Sequence, residues 1–183
     1  DEGVALFPAD DRADGADDLG RFDALALCMP PSQAATLIRR ASPELAARAE
    51  AVRMEPCFAL AFSPGERDAE LLRALPFDAA FVGRGDDDDR SPLSWIARDS
   101  SKPGRPAGER WGLHASPGWS RKMYDAPEED VVLALLGELS RLLALPLLRP
   151  SQSFLRRWAH ARAEHALESG YLCDASGTIG LGG

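Results

Sequence analysis

Between Leu93 and Ser116 the chain carries two strand-like segments, each with a tryptophan, separated by a turn that no helix can cross. The first reads Leu93-Ser94-Trp95-Ile96-Ala97-Arg98 and the second Glu109-Arg110-Trp111-Gly112-Leu113-His114-Ala115-Ser116. Pro103, Gly104 and Pro106 lie between them. Proline removes the amide hydrogen that a helix or ladder needs, and glycine opens turn conformations closed to other residues. The pattern predicts a hairpin with Arg98, Lys102 and Arg105 at a rigid tip.

The neighbouring segments extend the sheet. From Val52 to Ser63 the side chains alternate, with Val52, Met54, Pro56, Phe58, Leu60 and Phe62 on a heavy face and Arg53, Glu55, Cys57, Ala59, Ala61 and Ser63 on a light one. The light face leaves room for a covering helix or for a ligand. Pro56 cannot donate a ladder bond, which predicts an edge position or a bulge. From Ser153 a second alternation puts Phe154, Arg156, Trp158 and His160 on one side and Leu155, Arg157, Ala159 and Ala161 on the other. Shorter strands are expected at 4–7, 22–29, 78–82, 171–174 and 178–181, the apolar run at 22–29 being covered on both faces.

Helices are predicted from Pro31 to about Arg40, after Ser42-Pro43-Glu44, around Leu71, Leu72 and Leu75, and over 126–145. Asp125-Ala126-Pro127-Glu128 has the form of a capping box, and Val131, Val132, Leu135, Leu136, Leu139, Leu142 and Leu143 recur at helical spacing until Pro146. The fold expected is one α+β domain over 1–183, with a mixed, largely antiparallel sheet of about six or seven strands and helices packed on one face.

Charge and composition remove several function classes. The net charge of −8, from 21 basic and 29 acidic side chains, opposes a phosphate backbone, so nucleic acid is not an expected partner. With 45% hydrophobic residues over 183 positions there is material for a substantial core, and no long uncharged apolar run suggests a membrane span. Cys28, Cys57 and Cys173 are odd in number and lack Cys-x-x-Cys spacing, which fits buried thiols in a cytoplasmic protein. The four aspartates 86–89 lack calcium-loop spacing, and residues 83–91 read as a flexible acidic loop. His160 and His165 are five apart, not the four of a zinc helix, so no metal site is expected. Serines near His114 lack the Gly-x-Ser-x-Gly elbow of a hydrolase.

The hairpin, Ser94-Trp95-Ile96-Ala97-Arg98-Asp99-Ser100-Ser101-Lys102-Pro103-Gly104-Arg105-Pro106 followed by Trp111-Gly112-Leu113-His114-Ala115-Ser116-Pro117-Gly118-Trp119-Ser120, resembles a segment of bacterial renalase-like proteins. These are a branch of the flavin-containing amine oxidase superfamily. The likeness extends to Phe22–Pro30, Met54–Leu60, Arg157-Trp158 and Leu172–Asp174. Asp99 stands where those proteins usually have asparagine, and Arg156, Ala159 and His160 replace their histidine, arginine and tyrosine. The family's Gly-x-Gly-x-x-Gly turn and its closing Gly-Asp segment, both FAD elements, have no counterpart here.

The resemblance implies the substrate-binding domain of the amine oxidase and hydroxybenzoate hydroxylase-like type, belonging to a larger FAD-dependent oxidoreductase. Such an enzyme would oxidise a reduced nicotinamide species or an amine and pass the electrons to oxygen. The 183 residues alone are expected neither to retain FAD nor to turn over. The implied partners are the FAD-binding domain of the same protein and a small molecule such as a nicotinamide dinucleotide. Apolar surface left without that domain would favour self-association. Cofactor contacts are implied at Pro30, Arg157 and Trp158. Substrate-facing positions are implied at Trp95, Arg98, Lys102, Trp111 and His114, with no catalytic residue assigned. Each tryptophan reads first as core or inter-element packing and only second as a cavity wall, and the basic tip reads equally as a solvated, charge-paired turn. The competing class is a non-catalytic protein-interaction module that has lost its nucleotide-binding partner.

Overall fold

A computed structural model describes residues 4–5, 20–83, 91–165 and 169–182, which form two compact units, one of residues 1–54 with 163–183 and the other of residues 55–162. The acidic run 84–90 and most of the turn at 8–20 lie outside the described residues.

In the first unit, β1 (Val4–Ala5) pairs antiparallel with β2 (Arg21–Phe22). A three-stranded sheet runs in the order β3 (Leu25–Leu27), β10 (Ile179–Leu181), β9 (Leu172–Cys173), with β10 parallel to β3 and antiparallel to β9. The run at 22–29 thus splits into two short strands, and Ala26 is exposed beside buried Leu27. Helices α1 (Pro31–Ile38) and α2 (Pro43–Glu50) pack through Ala34, Ala35, Ala46 and Ala49, whose small side chains let the backbones approach, with Ile38 and Leu45 completing the contact. Proline opens each helix in its first turn, where the missing N–H has no partner to lose. Asp174 holds the β9–β10 turn by accepting from Ile179 N at 2.8 Å, with Gly177 supplying φ +74°.

The second unit is a five-stranded sheet in the order β5 (Ala79–Phe81), β6 (Leu93–Arg98), β7 (Trp111–Ala115), β4 (Met54–Pro64), β8 (Pro150–Ala163). The β5–β6, β6–β7 and β7–β4 pairs are antiparallel. Ser151 reaches the Ser63 carbonyl, and the Glu164 amide the Arg53 carbonyl, so β8 also runs antiparallel to β4. In place of the single sheet of six or seven strands expected from the sequence, the described residues form a five-stranded sheet here and a three-stranded and a two-stranded sheet in the other unit. Strand-like runs counted along a chain do not reveal which of them share a ladder.

One face of this sheet carries the core. Phe58, Leu60 and Phe62 of β4, Leu93 and Ile96 of β6, and Trp111, Leu113 and Ala115 of β7 pack on Leu72 of α3 (Glu66–Arg73) and on Val131, Leu135, Leu136 and Leu139 of α5 (Glu128–Leu142). Helix α4 (Pro117–Lys122) brings Trp119 edge-on to Phe58, ring centroids 6.1 Å apart. Its Arg121 pairs with the buried Glu55.

Several local expectations need correction. Helix α5 starts at Glu128 with Pro127 as N-cap and no side-chain cap bond, so Asp125 does not close a capping box. The helix ends at Leu142, before Pro146, in a reversal through Ala144 at φ +52°. Ser140 secures that reversal, donating to Leu136 O at 2.8 Å and accepting from Leu148 N at 3.1 Å. Leu142 is exposed, so the helical stripe is one residue narrower than its spacing suggests. Strand β4 lies inside the sheet, and Pro56 is tolerated because pairing with β7 covers only 59–62. All three cysteines are free, Cys28 exposed and Cys57 and Cys173 half-buried, not the fully buried thiols expected.

Leu139 is fully buried at the centre of the α5 contact. Truncation to alanine leaves a cavity, so Leu139→Ala is expected to lower unfolding free energy by about 2–5 kcal/mol, measured by urea denaturation. An unchanged midpoint would refute the packing described.

Candidate functional site

Strand alternation sends everything not in the core to the other face of the five-stranded sheet. Across three adjacent strands the register aligns Ala97 with Gly112 and Gly112 with Ala61, a row of the smallest side chains available. The next row reads Trp95, His114 and Ala59. A β-bulge between Leu93 and Trp95 restores this phase on β6, bringing Trp95 onto the face of His114. Their rings lie 4.9 Å apart at an interplanar angle of 43°. On the far side, β8 contributes Phe154, Arg156 and Trp158, the rings 62% and 51% exposed. The result is an open groove of about 1070 Å³ with a floor of alanine and glycine and aromatic side chains on both flanks. A Cβ built on Gly112 would meet the Trp95 ring at 4.0 Å, so bulk at this position rises directly into the groove.

The rim is the hairpin tip. After β6 a short 3-10 turn (Asp99–Ser101) folds back, and Asp99 receives Lys102 Nζ at 2.7 Å and Arg105 Nε at 3.3 Å. Those two cations hold the Asp99 carboxyl below the usual carboxylate range, the Lys102 hydrogen bond first among the causes. Arg110 donates to the carbonyls of Pro106 and Ala107 at 2.8 and 3.3 Å. The tip is therefore internally paired.

Of the residues expected to face substrate, Trp95, Lys102 and His114 line the groove together. Trp111 also borders the groove, but its indole turns to the core side, and Arg98 lies outside the lining, because each side chain sits one step out of phase with Trp95 and His114. Trp111 is 1% exposed, packed edge-on to Phe77 at 6.1 Å, and its indole donates to Glu109 at 2.8 Å. Arg98 stacks over Trp111 at 5.2 Å, donates to the carbonyls of Leu72 and Leu75 at 2.8 and 3.3 Å, and brings Nε within 3.2 Å of Glu109 in an ion pair without hydrogen-bond alignment. It fastens the hairpin to α3.

The cofactor candidates separate in the same way. Trp158 borders the groove, but Arg157 points to the core side, where its guanidinium covers Phe58 and Tyr124, each at 5.3 Å, and donates to Ala126 O at 3.2 Å. Pro30 is the N-cap residue of α1 in the other unit. Phe154 and Arg156 were not among the expected site residues, although the alternation of β8 already placed them beside Trp158. Ala97 and Gly112 had no such signal, since small residues in strands announce nothing until the register aligns them. Among the described residues no cluster of three histidine, cysteine, aspartate or glutamate side chains is arranged to hold a metal ion. No helix among them is long and apolar enough to cross a membrane.

No family model matches the chain. Its fold is similar to that of a putative protoporphyrinogen oxidase from Exiguobacterium sp. 255-15, with a TM-score of 0.59 and 16% identity over 91% of this chain and 36% of that one. It is also similar to putrescine oxidase. A variant with redesigned cofactor binding gives a TM-score of 0.59 at 10% identity, and the wild type bound to putrescine gives 0.54 at 12%, each over 91% of this chain and 39% of the oxidase. The chain thus spans well under half the length of the structures it matches, and at these identities the likeness is one of fold.

Two outcomes follow from the geometry. Arg98→Gln removes the nearest cation from the nearly buried Glu109, which keeps the Trp111 indole at 2.8 Å and Arg73 at 4.0 Å, so a loss of about 1–3 kcal/mol is expected in denaturant melts. A variant as stable as the parent would return Arg98 to the list of surface cations. Partial burial beside the tilted Trp95 ring strips hydration from His114, and this desolvation, with the Lys102 charge second, lowers its pKa. Because the folded ring resists protonation, its contribution to stability is full above about pH 6.5 and declines as pH falls below that value. An NMR titration should give a depressed His114 midpoint that rises in Lys102→Gln; a midpoint at the free-imidazole value would contradict the burial of the ring.

Proposed function

We propose that this chain is the substrate-binding portion of an FAD-dependent, amine-oxidase-like oxidoreductase, and that the open sheet face covers the flavin ring and receives the substrate. The observation that carries this reading is the aligned floor of Ala97, Gly112 and Ala61 between aromatic flanks, a slot whose depth exists only because three successive strands present almost no side chain. A planar ring system needs such a surface, flat enough for contact over a whole face. When bound, FAD supplies the hydride-accepting chemistry, so the protein's tasks are to bind, orient and exclude water. Ala61, Ala97 and Gly112 would permit close approach, Trp95 and Trp158 would limit sideways movement, and His114, kept neutral near pH 7, would offer a hydrogen bond at the groove wall.

The likeness of fold to a protoporphyrinogen oxidase and to putrescine oxidase supports an oxidase-type reading, and the resemblance of the hairpin to renalase-like proteins supports a reduced nicotinamide species or an amine as substrate, with oxygen as acceptor. By that resemblance Pro30 remains a proposed FAD contact, and an FAD-binding domain of the same protein and a cytoplasmic location belong to the same reading.

The test uses the complete gene product that contains this sequence. It is expected to purify with FAD that is reduced by an amine or a reduced nicotinamide. Gly112→Leu, which fills the slot without touching the core, should slow that reduction by about a hundredfold while the melting temperature stays within a few degrees. Reduction at the parent rate in Gly112→Leu would overturn the groove assignment, and a colourless protein that binds a protein partner through this face would establish the interaction module instead.

A further inference from the structure

The groove's cations have unequal fates. Lys102 is held by Asp99 at 2.7 Å, and Arg110 is engaged with two carbonyl groups. Arg156 is different. Its guanidinium lies between Phe154 and Trp158, 5.9 and 5.7 Å from their ring centroids, and meets no carboxylate among the described residues. The adjacent strand cannot supply one, because on this face β4 presents Ala59, Ala61 and Ser63. Asp99 is the one acidic side chain among the described residues lining the groove, and it is already shared by Lys102 and Arg105. Three cations against one anion thus line a groove in a chain whose net charge is −8.

A guanidinium flanked by two aromatic faces is oriented before any ligand arrives, with its edge donors left free for a two-oxygen acceptor. We infer that Arg156 is the anion-recognising residue of the groove, and that the substrate class carries a carboxylate or phosphate next to a planar apolar body. The aromatic flanks would take the apolar body while the Arg156 fork takes two oxygens side by side. Hairpin-tip Lys102 and Arg105, the obvious candidates in the sequence, are both drawn onto the single Asp99 carboxylate, whereas Arg156 meets no carboxylate among the described residues.

This inference rests on the groove being the substrate site, as proposed above, but its test needs no flavin. Binding of benzoate, phenyl phosphate and neutral benzyl alcohol to the 183-residue chain is followed by tryptophan fluorescence, since Trp95 and Trp158 border the groove. One or both anions should bind about tenfold more tightly than benzyl alcohol, and whichever is preferred identifies carboxylate or phosphate as the group recognised. Arg156→Gln should abolish that preference with benzyl alcohol affinity unchanged, and Arg156→Lys should restore part of it. The inference is overturned if the neutral probe binds as well as both anions, if Arg156→Gln keeps the preference, or if all three probes weaken equally. An anion preference lost with Arg156 stands even where flavin reduction fails. Flavin reduction without any anion preference removes this inference alone.

Discussion

Burial of the heavy face of three central strands against α5 is the constraint from which the rest of the second unit follows. Phe58, Leu60 and Phe62, with Ile96 and Leu113, can reach Val131, Leu135 and Leu139 in one register only, since a slip by one residue would send each strand's apolar set into water. At roughly 1.5–3 kcal/mol per fully buried aliphatic or aromatic side chain, such a slip is strongly disfavoured. The opposite face has no freedom left. Ala61, Gly112 and Ala97 line up there because their neighbours along the chain are locked in the core.

The same logic divides the hairpin's charges. Arg98 and Lys102 are close in sequence and alike in sign, yet Arg98 emerges on the core side and becomes a stacked, carbonyl-bound anchor, while Lys102 turns back onto Asp99 at the groove rim. On β8 the division repeats between neighbours: Arg157 covers Phe58 and Tyr124, and Arg156 stays on the groove side between two rings. Strand parity decides whether a cation packs on the core or stays on the open face.

The division into a packed face and an open one also explains how a fold can be shared at 16% identity or less with oxidases more than twice as long. The packed face asks only for apolar bulk of about the right volume, which many sequences meet. On the open face individual side chains set depth, polarity and charge, and the function proposed above depends on them.

Sequence alone determined the elements whose signals are local. Proline and glycine at 103–106 force a turn, the period-2 patterns of 52–63 and 153–161 specify which side chains share a face, and the leucine and valine spacing after Glu128 specifies a helix with one buried stripe. Helix ends were less legible, because Ser140 and Ala144 end α5 through bonds to residues beyond it. What tertiary structure alone decided is which strands are neighbours and in what register. That choice made a floor out of Ala97, Gly112 and Ala61, buried the Trp111 indole, withdrew Arg98 and left Arg156 without an acidic partner among the described residues. The physical reason is that ladder pairing and face-to-face burial join residues distant along the chain, and their energy depends on the shape of the whole sheet, which no local pattern encodes.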